Sequence, residues 1–301
     1  SDSKEIMAAI EDLEAGGSTA GSEGIKTAYE IARKYFKADG NNRVILATDG
    51  DLNVGITSEG ELTRLIKKEK ESGVFLSVLG FGTENIKDNK MEALADNGNG
   101  NYSYIDSRFE AKKVLSEELG ANFFTVAKDV KFQLEFNPKF IKGYRLIGYE
   151  NRIMDDEDFK DDTKDGGEIG SGHRVTVLYE IVDKDSPMDI SSDLKYQSSA
   201  VTESNDLLNI AVRYKEPDSE TSKELNYPVT TESIKTEMSD NMKFAASVAE
   251  TGMLLRDSEF KGKSSYDSVV SLLDSIPDIK NDTSKLEFLL LVKKMATLVK
   301  E

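Results

Sequence analysis

A short apolar run that ends in an Asp-Gly turn is the stretch of this sequence best suited to bind a ligand. Residues 44–47 are Val-Ile-Leu-Ala, and residues 48–50 are Thr-Asp-Gly. An apolar run without polar alternation predicts a strand covered on both faces of a parallel sheet. Because ligands bind at the carboxyl ends of such strands, Asp49 is a candidate ligand-binding carboxylate. Taken alone, the stretch favours a simpler interpretation, a polar turn after a core strand.

A glycine-rich segment upstream strengthens the interpretation as a binding site. Residues 15–21 are Ala-Gly-Gly-Ser-Thr-Ala-Gly, and apolar residues recur at helical spacing from Ile25 onward. Together with Ala-Thr-Asp-Gly at 47–50, this arrangement resembles the von Willebrand factor A domain. The resemblance implies a metal-ion-dependent adhesion site, in which Thr19 and Asp49 are the matching ligands. It also implies that Mg²⁺ or Mn²⁺ is the cofactor of the intact protein.

The first metal-binding motif of that family has no counterpart in this sequence. The motif is Asp-x-Ser-x-Ser, whereas residues 2–6 are Asp-Ser-Lys-Glu-Ile. We therefore expect a partial A domain that lacks about its first third, with an incomplete metal site made of Thr19 and Asp49. Magnesium requires six oxygen ligands in near-octahedral geometry, so we expect these two residues alone to hold no ion.

The composition limits the partners that this chain can bind. Its 301 residues include 39 Lys and Arg against 56 Asp and Glu, for a formal net charge of −17. This charge repels nucleic-acid phosphates and anionic lipid, so we expect no nucleic-acid partner. The sequence contains no apolar run of about 18 residues, so we expect no direct membrane insertion by these residues. The absence of cysteine excludes a thiolate nucleophile and a Cys-ligated zinc site.

Two kinds of hydrophobic periodicity divide the chain into two expected domains. Strand-like runs alternate with helical segments over residues 1–124, which predicts the parallel sheet of a partial, Rossmann-like α/β layer. Alternating patterns then predict a β-sandwich-like domain from residue 125 to about 230. Helical spacing at about 232–301 predicts three closing helices. The predicted strands are residues 43–48, 74–82, 101–106, 130–136, 143–150, 173–182 and 207–214.

Separate motifs in the second half, residues 125–301, resemble the C-terminal region of YfbK-type bacterial proteins. These motifs are Phe136-Asn137-Pro138, residues 144–152 and the helical segment 244–255. In that family the region follows a von Willebrand A domain, and many members resemble lipoproteins exported from the cytoplasm. The resemblance implies an extracytoplasmic protein, at the cell surface or in the periplasm, with lipid anchoring through a missing N-terminal segment.

The most acidic stretch of the sequence is residues 155–168, where eight acids are accompanied only by Lys160 and Lys164. We interpret this stretch as a solvated hairpin loop rather than a calcium site. Charge runs of this kind are usually solvated.

Two classes of function remain open. The first is a non-enzymatic protein-interaction or adhesion module, whose protein partner the sequence does not identify. The alternatives are a metal-dependent hydrolase that uses Asp49 and Asp51, and a purely structural scaffold. A hydrolase would need paired carboxylates or a nucleophile with its base, and the sequence offers neither. We therefore expect no catalytic residues and favour the interaction module.

Overall fold

The chain folds into two compact units, each built from three separate segments. A computed structural model describes residues 3–12, 21–49, 59–82, 87–149, 152–188 and 204–299. Unit 1 spans residues 1–132, 157–174 and 212–224. Unit 2 spans residues 133–156, 175–211 and 225–301. The domain boundary expected after residue 124 stays a prediction.

Unit 1 contains the expected parallel sheet, with its strands in the order β1-β2-β3. The strands are β1 (Arg43–Thr48), β2 (Phe75–Phe81) and β3 (Tyr102–Ile105). The accompanying helices are α1 (Ser3–Glu11), α2 (Gly21–Lys34), α3 (Glu59–Lys70) and α4 (Asp88–Asn97). Thr48 pairs with Gly80, and Gly80 pairs with Tyr104. The carboxyl ends of all three strands therefore lie at one edge of the sheet.

The core of this layer lies between β2 and three helices. Apolar residues four positions apart, such as Ile25 and Tyr29 or Leu62 and Ile66, lie on one face of their helix. These faces bury the largest side chains of the layer against the sheet. The fully buried side chains include Ile25, Tyr29, Leu62, Ile66, Val74, Leu76, Val78, Met91 and Leu94.

The strand that is covered on both faces is β2 rather than β1. Consecutive residues of β2, from Leu76 to Leu79, are buried. In β1, Val44 and Leu46 pack into the core, whereas Ile45 on the opposite face is 50% exposed. Ala47, on the same face as Ile45, is exposed as well. The expectation that residues 44–47 form a strand buried on both faces is therefore wrong.

The helical segment that precedes residue 124 is interrupted. It consists of α5 (Arg108–Lys112), a π-helical turn (Lys113–Glu117) and α6 (Leu119–Phe123). The side chain of Asn101 donates to the carbonyl oxygen of Asn122 at 3.1 Å, which ties the end of α6 to the strand layer.

The remaining strands form a four-stranded sheet in the order β6-β4-β8-β9 and a two-stranded sheet, β5-β7. Phe136 on β4 stacks on Tyr144 of β5 at 4.3 Å and meets Tyr179 of β7 edge-on at 5.3 Å. This aromatic cluster joins the two sheets, as expected for a β-sandwich-like region. The strands are β4 (Thr125–Phe136), β5 (Ile141–Ile147), β6 (Gly167–Gly170), β7 (Leu178–Asp183), β8 (Asp206–Lys215) and β9 (Ser222–Thr230).

The three expected C-terminal helices are confirmed as α7 (Asp240–Leu255), α8 (Tyr266–Asp274) and α9 (Thr283–Leu298). Side-chain oxygens of Ser239, Ser265 and Asp282 accept hydrogen bonds from backbone amides and cap the three helix starts. Apolar side chains of α8 and α9 form the core of this region. In the described part of the chain, no helix has the length and apolar character needed to cross a bilayer.

Candidate functional site

Asp49 lies directly after β1, at the carboxyl edge of the three-stranded sheet, and its side chain is exposed. Carboxylate oxygens are the ligands that Mg²⁺ and other hard cations prefer, so the chemistry and the place of Asp49 fit the expected adhesion site. Thr19, expected to face it, and Asp51, named in the hydrolase alternative, lie outside the described residues. The pairing of Thr19 with Asp49 therefore stays a prediction.

A second group of carboxylates, not predicted from the sequence, lies elsewhere in unit 1. We call Asp129 on β4, Asp165 before β6 and Glu168 on β6 the carboxylate cluster. Each residue places one carboxylate oxygen within 4.8 Å of those of the other two. Asp129 and Asp165 also line a cleft of about 800 Å³. The cluster therefore borders an open space, and not only the sheet interior.

An irregularity in β4 brings Asp129 to the cluster. The register with β6 shifts between Ala127 and Val130, and Asp129 has a φ of 50°, which residues with side chains rarely adopt. Gly166 packs directly against this bulge, where an added Cβ would lie 2.7 Å from the carbonyl carbon of Asp129. The amide of Gly166 donates to Asp129 Oδ1 at 3.3 Å. The absence of a side chain at Gly166 thus lets its two acidic neighbours approach β4.

Two lysines form ion pairs with two of the three carboxylates. Lys215 Nζ lies 2.7 Å from Asp129 Oδ2, and Lys70 Nζ lies 3.0 Å from Asp165 Oδ2. Glu168 differs, because its Oε1 is buried and accepts no hydrogen bond from the described residues. The carboxylate cluster therefore contains one carboxyl group whose buried oxygen has no donor.

The three carboxyl groups differ in their pKa values. Burial, followed by the charge of Asp165, raises the pKa of Glu168 to about 8. Burial also raises the pKa of Asp165, in opposition to the charge of Lys70. Burial also acts to raise the pKa of Asp129. Hydrogen bonds to its carboxylate, of which that from Lys215 is the strongest, outweigh burial and lower this pKa below its ordinary value. Near neutral pH, Glu168 is therefore largely protonated while Asp129 is ionised.

The acidic segment 155–168 is not the expected hairpin, because the strands that flank it, β5 and β6, belong to different sheets. Five of its eight acids are exposed, as expected of a solvated segment, but other parts of the segment are held against the sheet. Phe159 within it is buried. Lys131 on β4, also buried, donates through Nζ to the carbonyl oxygens of Asp158 and Asp161 at 3.2 and 2.6 Å. Charge counting missed this docking because the lysine comes from a strand distant in sequence, although Phe159 was a signal for burial.

Asp162 provides a further attachment for the acidic segment. Its Oδ1 accepts hydrogen bonds from Ser222 Oγ at 2.6 Å and from Arg213 Nη2 at 2.7 Å. These two bonds lower the pKa of Asp162 to about 2, with Ser222 contributing most. Lys215 also donates to the carbonyl oxygen of Asp162 at 2.9 Å. The segment is thus attached to β8 and β9 as well as to β4.

Two family models match the chain in consecutive regions. The von Willebrand factor type A domain matches residues 1–118, and the model described as "Uncharacterized protein YfbK, C-terminal" matches residues 121–298. The chain belongs to the YfbK family. "Uncharacterized protein YfbK" from Escherichia coli (strain K12) is 42% identical over 270 residues, which cover 88% of this chain and 46% of that protein. The chain thus spans less than half the length of this YfbK relative.

Two solved structures are also similar to the chain. "von Willebrand factor type A from Catenulispora acidiphila" has a TM-score of 0.40 at 16% identity, covering 95% of this chain and 65% of that one. The human COPII-coat protein Sec24c has a TM-score of 0.36 at 12% identity, covering 91% and 36%. Because both TM-scores lie below 0.5, the fold assignment rests on the family models and on the elements described above.

The von Willebrand A match points to a protein-interaction or adhesion module. Domains of this type often bind a divalent metal. The matched region includes both Thr19 and Asp49, the two residues expected to contribute to such a site.

Proposed function

We propose that this chain is part of a non-enzymatic interaction module in which a divalent cation captures an acidic group of a protein partner. The observation that carries the proposal is the exposed Asp49 directly after β1, within the region that matches the von Willebrand A model. Asp49 and Thr19 would hold Mg²⁺ or Mn²⁺. When bound, the ion supplies the positive charge that a carboxylate of the partner recognises.

The cation also accounts for how so acidic a protein can bind an acidic group. A formal net charge of −17 repels other anions. A divalent ion at the carboxyl edge reverses the charge locally. Two protein oxygens do not complete an octahedral shell, so the proposal requires further oxygen ligands, from water or from other segments of the full-length protein.

We place the module outside the cytoplasm, at the cell surface or in the periplasm, with a lipid anchor. The support for this location is the resemblance of YfbK-type proteins to exported lipoproteins. Fractionation of the native cell, followed by detection of the protein in the membrane and soluble fractions, tests it. Recovery in the cytoplasmic fraction alone would refute this location.

Metal-dependent capture tests the proposed function. The full-length protein and its Asp49→Ala variant are immobilised, exposed to extracytoplasmic proteins with magnesium or with EDTA, and the retained proteins are quantified. We expect a partner that the wild type retains with magnesium, that EDTA releases and that Asp49→Ala does not retain. Asp39→Ala, which removes an exposed carboxylate before β1, is the matched control and should retain the partner.

Retention of the same partner by Asp49→Ala, or in EDTA, would contradict the proposal. Hydrolysis of a model ester or phosphoester by the wild type, lost in Asp49→Ala, would instead support the hydrolase alternative. The hydrolysis assay thus separates the interaction module from an enzyme that uses the same carboxylate.

A further inference from the structure

The carboxylate cluster of Asp129, Asp165 and Glu168 has the geometry of a ligand site that the proposed function does not use. All three residues belong to unit 1, and each presents one oxygen within 4.8 Å of the others. Oxygens bound to one calcium ion at 2.3–2.6 Å lie at most about 4.6–5.2 Å apart, on opposite sides of the ion. For magnesium, with bonds of 2.0–2.1 Å, that limit is about 4.2 Å. An upper limit of 4.8 Å lies within the calcium range, so one calcium ion can contact all three oxygens.

The oxygen that points to a ligand is Oε1 of Glu168. This atom is buried within the cluster and accepts no hydrogen bond from the described residues. A buried carboxylate oxygen without a donor is costly, and native proteins usually resolve it with a water, an ion or a proton. The nearby cation Arg43 is not paired with this oxygen in the structure. Its Nη1 and Nη2 donate to Ser77 Oγ at 2.6 Å and to Thr125 Oγ1 at 3.2 Å, and its buried Nε has no acceptor among the described residues.

The two lysines of the cluster leave ligand oxygens for a cation. Lys215 and Lys70 each contact an Oδ2 atom, of Asp129 and Asp165 respectively. Asp129 Oδ1 accepts a long 3.3 Å bond from the Gly166 amide. The carboxyl groups of Asp129 and Asp165 also share a hydrogen bond, which a bound ion would replace. The side chain of Asp165 is 45% exposed, so an ion and its water ligands can enter from the adjoining cleft.

We propose that Asp129, Asp165 and Glu168 form a calcium site, independent of Asp49, that fastens the acidic segment 155–168 to β4. Each residue contributes one carboxylate oxygen, and water from the cleft completes the shell of six to eight oxygens. Because Glu168 is largely protonated near neutral pH in the absence of an ion, calcium binding releases its proton to solvent. With neither His nor Cys among the three ligands, the site favours hard cations over zinc or copper. The two lysines weaken the attraction, so we expect a dissociation constant of about 0.1–1 mM.

Thermal unfolding of the 301-residue chain carrying Asp49→Ala tests this site apart from the adhesion site. Because calcium binds only the folded state, about 10 mM calcium should raise Tm by on the order of 3 °C or more. Adding Glu168→Gln should abolish the rise, since a neutral amide replaces the central ligand. Adding Glu157→Gln, which changes an exposed acid of the same segment, should leave the rise intact.

Three outcomes would overturn the proposal. The first is no calcium-dependent rise in the Asp49→Ala chain, and the second is an equal rise after Glu168→Gln. The third is an equal rise with the same concentration of magnesium, which would refute the preference for calcium. Asp165→Asn, on the exposed side of the cluster, provides a second ligand variant if Glu168→Gln fails to fold. It should reduce calcium affinity at least tenfold in calorimetry, and unchanged affinity would likewise overturn the proposal.

Discussion

Asp129 on β4 and Lys215 on β8 form an ion pair across neighbouring strands, with Oδ2 and Nζ 2.7 Å apart. Their side chains are only 17% and 5% exposed. Removal of one partner from such a pair leaves a poorly solvated charge, at a cost of about 3–5 kcal/mol. We therefore expect Lys215→Met to lower the free energy of unfolding by roughly this amount, as measured by urea denaturation near neutral pH.

An exposed pair between β9 and the residue that follows β8 is the control for that prediction. Lys223 pairs with Glu216, and both side chains are 54% exposed. Exposed pairs contribute about 0–1 kcal/mol, so Lys223→Met should change stability by less than this. Similar decreases in the free energy of unfolding of the two variants would show that the pair of Lys215 with Asp129 contributes no more to stability than an exposed pair.

The raised pKa of Glu168, about 8 against an ordinary 4.5, predicts that stability falls as pH rises. Between these values the folded state binds more protons at Glu168 than the unfolded state does. The free energy of unfolding must then decrease across this window and level off above it. The charges of Asp165, Asp129 and Asp96 reinforce the shift, and that of Lys70 opposes it.

Glu168→Gln isolates this contribution, because glutamine mimics the protonated carboxyl group. In EDTA we expect the variant to match the wild type near about pH 4.5 and to exceed its stability near pH 8 and above. The gain should be on the order of 2 kcal/mol, less than the full shift implies because Glu168 is partly exposed. Urea denaturation across this range measures it, and parallel profiles for the two proteins would contradict the assignment.

Gly166 and Gly24 differ in the space available for an added methyl group. At Gly166 an added Cβ would lie 2.7 Å from the backbone of Asp129, whereas at Gly24 on α2 nothing lies within 4 Å. Gly166→Ala should therefore destabilise the protein by about 1–3 kcal/mol. Gly24→Ala should stabilise it by up to about 1 kcal/mol, since alanine is the better helix former. Thermal denaturation of both variants checks the pair, and a neutral Gly166→Ala would refute the close approach.

Two adjacent leucines on α9 test the helical core of unit 2. Leu289 is 1% exposed and packs into that core, while Leu290 is 58% exposed. Leu289→Ala should lower the free energy of unfolding by about 2–5 kcal/mol. Leu290→Ala should change it by less than about 0.5 kcal/mol. Equal effects in chemical denaturation would mean that the helix is rotated from the orientation described.

Local pattern was sufficient to predict most elements of this fold. The apolar run that includes Leu76 and the helical spacing of Ile25 and Tyr29 predicted the parallel layer, and Phe136 lies in a correctly predicted antiparallel strand. The exposure of Ile45 was not predictable in this way, because it depends on which elements cover the opposite face of β1. Periodicity describes one strand or helix at a time, and it does not say what packs against it.

The same limit of sequence periodicity applies to the candidate sites. Asp49 was predictable because a single strand and its turn define its place at the sheet edge. The carboxylate cluster was not, because Asp129 and Glu168 are 39 positions apart in sequence and meet only through a β-bulge and the bare backbone of Gly166. Glycines between acids, at Gly166 and Gly167, were the one signal in the sequence that a close backbone approach occurs there.

Calorimetry with magnesium and manganese tests the proposed function most directly. It is performed on the full-length protein carrying Glu168→Gln, so that the carboxylate cluster does not contribute, with and without Asp49→Ala. We predict saturable binding that Asp49→Ala abolishes, and no tight binding at Asp49 by the 301-residue chain alone, since Thr19 and Asp49 leave the shell incomplete. Absence of binding by the full-length protein, or binding that Asp49→Ala leaves unchanged, would contradict a metal-dependent interaction site at this edge of the sheet.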